Sequence, residues 1–285
     1  MTQGNGNDQW STVISPPNSR IAIDLGELWH YRDLVVLLVR RDLLAVYKQT
    51  ILGPLWFLLQ PVVSTIVFTV VFGKIAGIST DGIPHTLFYM SGIIAWNYFT
   101  GCLSKTSDTF VANAAVFGKV YFPRLAVPIS VVIVNILTFA IQFSLFLSVM
   151  LYFIVKGAAV TPNWLVLVAP LLILQIAALG LGIGIILSAL TTKYRDLAFV
   201  SGFIMQLGLY VTPIVYPLSK IPSQWQWAFL LNPMTTIVET FRYAFLGVGS
   251  VTSGQTCLSV GITFFIVIMG IRIFSRMEKT FMDSV

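Results

Sequence analysis

Long apolar runs separated by short polar segments dominate the pattern along this chain. A helix needs about 20 apolar residues to cross the hydrocarbon core of a bilayer. Five runs meet that length, at approximately 52–73, 86–104, 125–155, 163–190 and 256–274. Another run covers approximately 197–217 and is the fifth in chain order. The pattern therefore predicts an all-α membrane protein with six transmembrane helices.

The fifth run carries two prolines, Pro213 and Pro217, near its end. Each proline lacks an amide donor and its ring clashes with the preceding helical turn, at a cost of about 3 kcal/mol in a helix interior. Irregular backbone is tolerated at membrane depth only where protein or a water-filled cavity covers it. We therefore expect this helix to cross the membrane and to break near its outer end.

The segment after the break, about residues 217–250, is too polar at Glu239 and Arg242 to cross the membrane again. Asn232 and Pro233 divide it into two short helices, so we expect a re-entrant outer hairpin between spans five and six. Glu239 and Arg242 stand three positions apart and can pair on one helix face. Two interpretations remain open for this pair: a structural ion pair, or a pair that shapes the outer mouth of a pathway.

The residues before the first span divide into two parts. Residues 1–24 are polar and are expected to form a flexible cytosolic N-terminus. Residues 25–50 are expected to form an amphipathic helix in the membrane interface, because apolar positions recur at helical spacing. These positions are Leu28, Tyr31, Val35, Leu38, Val39, Leu43 and Val46. A membrane anchor and a docking surface for a cytosolic partner both fit this helix, and residues 51–285 then form the six-span transmembrane domain.

Composition and charge agree with a membrane protein and indicate its orientation. Hydrophobic residues make up 56% of the chain and charged residues only 10%, whereas soluble domains carry about 25% charged residues. With the N-terminus inside, 13 of the 17 Lys and Arg residues fall on the cytosolic side, which satisfies the positive-inside rule. We therefore expect both termini in the cytosol. Membrane orientation accounts for the net charge of +6, so no nucleic-acid partner is needed.

Neutral polar and aromatic side chains share faces of two predicted spans. They are Phe57, Gln60, Ser64 and Phe68 in the first span, and Gln206 and Tyr210 in the fifth. Aromatic rings can cover sugar faces while amide groups meet hydroxyls. We therefore predict that these residues line a channel for weakly charged, hydroxyl-rich cargo. A belt of aromatic residues at the membrane interface is the alternative explanation for the aromatic residues of the spans.

Small residues stand four apart in the fourth apolar run, at Gly180, Gly184 and Ser188. The surrounding letters, GLGIGIILS, look superficially like a dinucleotide-binding loop, but they lie inside an apolar run rather than after a strand. Small residues at this spacing let helices approach closely in lipid. The sequence therefore predicts a close helix contact along this ridge.

The chain lacks the common motifs of an enzyme. No G-x-x-x-x-G-K-[ST] phosphate loop occurs, so the chain does not bind ATP by that route. The two histidines and the two cysteines are widely separated, and we expect neither a metal site nor a bound cofactor. An enzyme of lipid-linked glycan synthesis would need acidic residues that hold a metal or activate a hydroxyl, whereas Asp108 and Asp196 each stand alone in a short loop. No catalytic residue is predicted.

Three segments resemble one family, the transmembrane permease subunits of ATP-binding-cassette (ABC) exporters for O-antigen, capsule or teichoic-acid polymers. They are YKQTILGPLWFLLQP at 47–61, KYRDLAFVSGFIMQLGLYVTPIVYP at 193–217 and LNPMTTIVETFRYAFLG at 231–247. The resemblance extends over about residues 25–280. It implies transport of an undecaprenyl-linked polysaccharide, as in lipopolysaccharide biosynthesis, across the bacterial inner membrane.

The resemblance also implies an assembly. It would be a homodimer in membrane lipid, with a continuous channel between the subunits and two cytosolic ABC ATPase subunits that bind ATP and Mg. By the same resemblance, coupling to the ATPase falls to Asn113, Phe117, Lys119 and Tyr121, with Arg195 and Asp196 in support. The outer gate would comprise Pro213, Pro217, Asn232, Pro233, Glu239 and Arg242. The alternative function is an ABC exporter of drugs or small lipophilic molecules.

Overall fold

The computed structural model describes residues 25–48, 53, 55–109, 112–113, 122–249 and 251–283. These residues form helices joined by short loops, and no strand occurs among them. The predicted all-α class is therefore confirmed for the described part of the chain. The predicted flexible N-terminus at 1–24 lies outside it.

The first half of the chain forms α1 Leu25–His30, α2 Arg32–Lys48, α3 Leu55–Phe68, α4 His85–Ser107 and α5 Ala126–Val155. A π-helical segment, Thr69–Ile75, continues α3. The second half forms α6 Ala169–Lys193, α7 Ala198–Val211, α8 Ser223–Leu230, α9 Pro233–Leu246 and α10 Ser253–Asp283.

Four stretches of helix are long and apolar enough to cross a bilayer, judged by length and composition: Leu55–Ile75, Ala126–Val155, Trp164–Thr191 and Ser253–Arg276. The other two predicted spans correspond to α4 and α7, which fall short of that standard. Helix α4 has 23 residues but carries more polar groups than the four apolar stretches do. Helix α7 has 14 residues, which is about 21 Å of helix against a hydrocarbon core of about 30 Å.

Helix α4 lies at the centre of the bundle although it is less apolar than its neighbours. It packs against α3, α5, α6, α7 and α9, and 16 of its 23 residues are buried. Because protein surrounds it, its hydroxyl and aromatic groups do not have to face lipid. This position explains why hydropathy alone underestimates how well α4 suits the interior of a membrane protein.

The small-residue ridge of α6 forms the predicted close helix contact, and the structure shows that its partner is α4. A Cβ added at Gly180 would lie 2.8 Å from the Cβ of Cys102, and one at Gly184 would lie 2.6 Å from the Cβ of Thr106. Both separations are too short for real side chains. Ser188, the third member of the ridge, is buried. The two helices therefore approach as closely as they do only because these positions lack larger side chains.

Several loops meet at one end of the bundle, which we call the hairpin end because α8 and α9 lie there. Asn163, in the loop before α6, donates from its backbone N–H to the Ala244 carbonyl at 3.0 Å. Ser219, in the loop after α7, donates to the Asp81 carboxylate in the loop before α4. These contacts bring together parts of the chain that are far apart in sequence.

Helix α2 lies within the predicted 25–50 segment and packs on the start of α5. Val35 and Leu38 are buried, in a small apolar cluster formed with Phe122, Ala126, Val127, Ile185 and Phe274. The predicted apolar stripe is thus partly covered by protein. Val36 and Leu37, beside it, are 65% and 63% exposed, so a second apolar surface of α2 remains open.

Candidate functional site

Helix α7 ends where the sequence predicted a break. Its last residue is Val211, and Thr212 takes up an extended conformation with φ −88° and ψ 134°. The Thr212 N–H still bonds back to the Gly208 carbonyl at 2.8 Å, but Pro213 has no N–H to continue the helix. The chain then runs irregularly until a single 3-10 turn at Leu218–Lys220.

The Arg242 side chain fills the space beside this break. Its exposed fraction is 1%, and its Nη1 donates to the Pro213 carbonyl at 2.5 Å while Nη2 donates to the Ile214 carbonyl at 2.9 Å. A broken helix leaves carbonyl oxygens without their usual partners, and burying them unpaired would be costly. The guanidinium group supplies the missing donors. We call this set of contacts the Arg242 clamp.

The other side of the clamp reaches α4. Arg242 Nη2 lies 3.4 Å from the Phe88 carbonyl and Nε lies 3.4 Å from Ser91 Oγ, both as donors. The guanidinium carbon stands 3.6 Å from the centroid of the Phe88 ring, within the range of a cation–π contact. One side chain therefore joins α9, α4 and the break after α7.

Glu239 balances the charge of the clamp from one turn earlier on α9. Its Oε1 accepts from Arg242 Nη1 at 3.2 Å, and both side chains are almost completely buried. Gly249 lies against the same carboxylate, since a Cβ there would stand 3.1 Å from Glu239 Oε2, and its φ of +123° suits glycine. The predicted i,i+3 pair is thus formed. It is an internal ion pair rather than one facing solvent.

Asn232 connects the start of α9 to the same break. Its Oδ1 accepts from the Met234 N–H at 3.1 Å and caps the helix, with Pro233 in the first turn. Its Nδ2 donates to Thr212 Oγ1 at 2.9 Å. The sequence-predicted residues Pro213, Asn232, Glu239 and Arg242 therefore meet in one place. Pro217 is buried nearby and precedes the 3-10 turn.

Helix α9 is packed inside the protein. Thirteen of its 14 residues are buried. Phe241 and Phe245 pack against α5, with ring centroids 5.7 Å from Phe146 in a tilted arrangement and 5.4 Å from Phe143 edge-on, respectively. Helix α8, by contrast, exposes both of its tryptophans. The two predicted short helices are therefore present, separated at Asn232, and they differ sharply in burial.

The α10 and α6 helices also hold the start of α9 through a chain of polar contacts. Ser259 Oγ donates to the Pro233 carbonyl at 3.1 Å, and Gln175 Nε2 donates to Ser259 Oγ at 2.9 Å. A carbonyl oxygen has two lone pairs, so it can accept this bond in addition to a helical one. The start of α9 is thus bonded to α10 directly and to α6 through Ser259.

The predicted channel residues lie on α3 and α7, which both pack against α4. Gln60, Gln206 and Tyr210 are exposed, and Phe57 and Ser64 are partly exposed. Phe68 instead turns inward, with its ring edge-on to Tyr89 at 6.1 Å. Its role as a lining residue therefore receives the least support from its position.

Of the predicted coupling residues, the structure describes only some. Asn113 is partly buried and its Nδ2 donates to the Thr109 carbonyl at 2.9 Å. Asp196 is exposed in the 3-10 turn Arg195–Leu197, and the Arg195 side chain is outside the described part. Phe117, Lys119 and Tyr121 also lie outside the described residues. Within the part that is described, no group of three or more His, Cys, Asp and Glu residues could hold a metal.

Sequence reasoning did not identify the α4 side of the clamp. Ser91 and Gly92 follow one another in α4, and a Cβ at Gly92 would stand 3.0 Å from Arg242 Nη2 and 2.9 Å from Ile214 Cγ2. Two adjacent small residues in the first half of α4 were the available signal. Nothing in the sequence indicated that their partner would be an arginine about 150 positions away.

The fold and the site define an integral membrane protein of the α-helical class, in which a broken helix is held by a buried ion pair. The chain belongs to the ABC-2 type transporter family, whose family model matches residues 33–246. That match covers the clamp, the break and the predicted coupling segment.

Named relatives narrow the comparison further. The chain is 29% identical over 267 residues to an O-antigen export system permease protein, RfbA, of Klebsiella pneumoniae, covering 93% of this chain and 98% of that protein. It is 30% identical over 224 residues to the protein of the same name in Myxococcus xanthus, covering 77% and 82%. It is also 25% identical over 237 residues to the polysialic acid transport protein KpsM of Escherichia coli, covering 82% and 89%.

Proposed function

We propose that this chain is the channel-forming transmembrane subunit of an ATP-driven exporter for lipid-linked polysaccharide. The main support is the similarity to O-antigen export permeases, which extends over nearly the full length of both proteins. The similarity to a polysialic acid transport protein supports the same cargo class. The cargo would be an O-antigen, capsule or teichoic-acid type of polymer on an undecaprenyl carrier.

In this proposal the chain crosses the inner membrane six times with both termini in the cytosol, and the hairpin end faces outward. The positive-inside count supports this orientation. The central burial of α4 supports a crossing despite its polar groups, because protein rather than lipid surrounds it. For α7, the clamp satisfies the carbonyls at its broken end, as backbone at membrane depth requires.

Two copies would form the channel between them. Helix α3 supports this proposal, because it is the least buried of the four long apolar helices, and Gln60 is exposed on it. Helix α7 is similarly open, with Gln206 and Tyr210 exposed and only Ser201 buried. Exposed amides are costly against lipid, so a face that carries them is better suited to a wet channel or a second subunit.

Two copies of a separate ABC ATPase would supply the energy, binding ATP and Mg that this chain does not hold. The chain would then be the non-enzymatic part of the complex. Contacts with the ATPase would fall to Asn113, Phe117, Lys119 and Tyr121, supported by Arg195 and Asp196. The exposed position of Asp196 at the end opposite the hairpin end is consistent with such a contact.

The clamp would set the outer boundary of the channel. Because α9 is buried against α4 and α5, it suits a fixed wall better than a moving flap. The sequence left two roles open for Glu239 and Arg242. In this proposal the pair has both: it stabilises the fold as an ion pair and it shapes the outer mouth of the channel. The re-entrant position of α8 and α9 relative to the outer leaflet is part of this proposal.

Deletion of the gene in its native host tests the proposed function. We expect undecaprenyl-linked polymer to be retained inside the cell while the surface loses its polymer, and a plasmid copy of the gene should reverse both changes. Unchanged surface polymer together with new sensitivity to lipophilic toxins would instead favour an exporter of drugs or small lipophilic molecules.

A further inference from the structure

The loop between α3 and α4 makes a specific contact with the loop after α7 at the hairpin end. Ser219 Oγ donates to both oxygens of the Asp81 carboxylate, at 3.1 and 3.0 Å. The two residues are 138 positions apart and both are exposed. A hydrogen bond to an ionised group is stronger than a neutral one, yet in contact with water it is readily exchanged for solvent.

The backbone at Asp81 is arranged to present its carboxylate. Among the described residues, Asp81 alone combines a side chain with a positive φ, of 53°. A turn supports it, in which Thr80 Oγ1 donates to the Ile83 carbonyl at 2.6 Å. Aspartate tolerates this conformation better than most residues, but it remains uncommon. Backbone held in such a region is often associated with function when the surroundings maintain it.

The two sides of this contact are anchored very differently. Ser219 lies five residues after Ile214, whose carbonyl the Arg242 clamp holds, and its neighbour Leu218 is buried. The Asp81 loop continues from α3, which is sparsely packed within the subunit. It is flanked by Gly77 and Gly82, both with positive φ. The contact therefore joins a well-packed part of the hairpin end to the loop that follows the sparsely packed helix α3.

From this arrangement we propose that Asp81 and Ser219 form a latch that closes the outer end of the pathway and must separate for cargo to leave. Asp81 is a positioning residue here, since it acts on the channel through the loop and α3. The proposal rests on the proposed export function. The hydrogen bond between Ser219 and Asp81 is exposed to water and therefore weak, which suits a contact that opens in every transport cycle. The buried Arg242 clamp suits a contact that stays closed.

Reversible cross-linking tests the latch. Asp81→Cys and Ser219→Cys would be combined in a Cys257→Ser background, because Cys257 is exposed and Cys102 is buried. A short, reducible bis-methanethiosulfonate reagent would then join the two cysteines in the gene-deletion strain. We expect surface polymer to fall to the level of the deletion strain after linking, and to return when a reductant cuts the linker.

A matched control pair lies at the same end of the bundle. Asn163 Nδ2 donates to the Tyr243 carbonyl at 2.9 Å, which joins two elements that we expect to stay together. Linking Asn163→Cys to Tyr243→Cys should leave surface polymer unchanged, as should treatment of each single-cysteine variant. Export at the control level after the Asp81 and Ser219 positions are linked would overturn the latch.

Resting permeability gives a second readout that a purely structural contact would not change. Asp81→Ala should raise the leak of a small polar dye from proteoliposomes several-fold at unchanged protein abundance, and the linked protein should leak least. Equal leak from the Asp81→Ala protein and from the linked protein would also overturn the latch. If the unmodified chain fails to restore surface polymer to the deletion strain, the proposed function fails and the latch with it, which separates that result from a failure of the latch alone.

Discussion

Arg242 Nη1 lies 2.5 Å from the carbonyl oxygen of Pro213, 29 positions earlier in the chain. In a continuing helix this carbonyl would accept from the residue four positions later, which is Pro217 and has no N–H. An arginine on another helix supplies the donor instead. The exchange explains how a membrane protein can contain an interrupted helix without leaving buried carbonyls unpaired. It also explains why the charged pair on α9 is buried instead of facing water.

Replacing Arg242 with methionine should severely destabilise the protein. The change leaves the Glu239 charge and the carbonyls of the break buried without partners, and removing one member of a buried pair typically costs about 3–5 kcal/mol. Thermal unfolding of the detergent-purified protein, followed by size-exclusion fluorescence, would measure the loss. Arg272→Met, at an exposed position on α10, is the matched control and should shift unfolding little. Equal effects of the two changes would contradict the clamp.

Two substitutions at Asn232 should separate its two roles. Asn232→Asp keeps the oxygen that caps α9 but loses the amide that donates to Thr212, whereas Asn232→Ala loses both. We expect Asn232→Ala to cost about 1 kcal/mol more than Asn232→Asp, the usual value of a helix cap. The same unfolding measurement ranks the two variants. A larger loss in Asn232→Asp than in Asn232→Ala would show that the cap is not the main contribution.

Gly184→Ala should weaken the contact between α6 and α4. The added Cβ would stand 2.6 Å from the Cβ of Thr106, so one helix must move, and such overpacking typically costs about 1–3 kcal/mol. Gly261→Ala on α10 is the control, because nothing lies within 4 Å of a Cβ there. Unfolding temperature and yield in detergent would report the difference. A Gly184→Ala protein as stable as the control would mean that these helices separate without cost.

Combined replacement of Phe117 and Lys119 by alanine should uncouple transport from ATP hydrolysis. The protein should fold and reach the membrane, while hydrolysis stimulated by transport falls. Lys220→Ala, at the hairpin end, is the control and should leave hydrolysis unchanged. Normal export by the Phe117 and Lys119 double variant would remove the coupling assignment.

The purified chain should hydrolyse no ATP without its partner ATPase. The phosphate loop is missing from its sequence, so activity is expected only after the separate subunit is added. Hydrolysis assays on the chain alone and on the reconstituted complex would compare the two. ATP hydrolysis by the chain alone that persists after a second purification step would contradict the proposal that a separate subunit hydrolyses ATP.

The sequence by itself determined the features that depend on neighbours along the chain. Apolar runs of membrane length predict helices, because the backbone must satisfy its own hydrogen bonds in lipid. Pro213 predicts the break, because it has no amide hydrogen, and Asn232 with Pro233 predicts the start of α9. The spacing of Gly180 and Gly184 predicts a close contact, since both positions lie on one helix face.

Only the tertiary structure decided which surfaces these features meet. Hydropathy could not show that α4 lies at the centre, because its polar groups read as unfavourable until its neighbours cover them. Spacing could pair Arg242 with Glu239, but not with the Pro213 carbonyl or the Phe88 ring. Those partners come from other helices, and their distances depend on how the whole bundle packs. The contact between Asp81 and Ser219 likewise exists only because folding brings two distant loops to one end of the molecule.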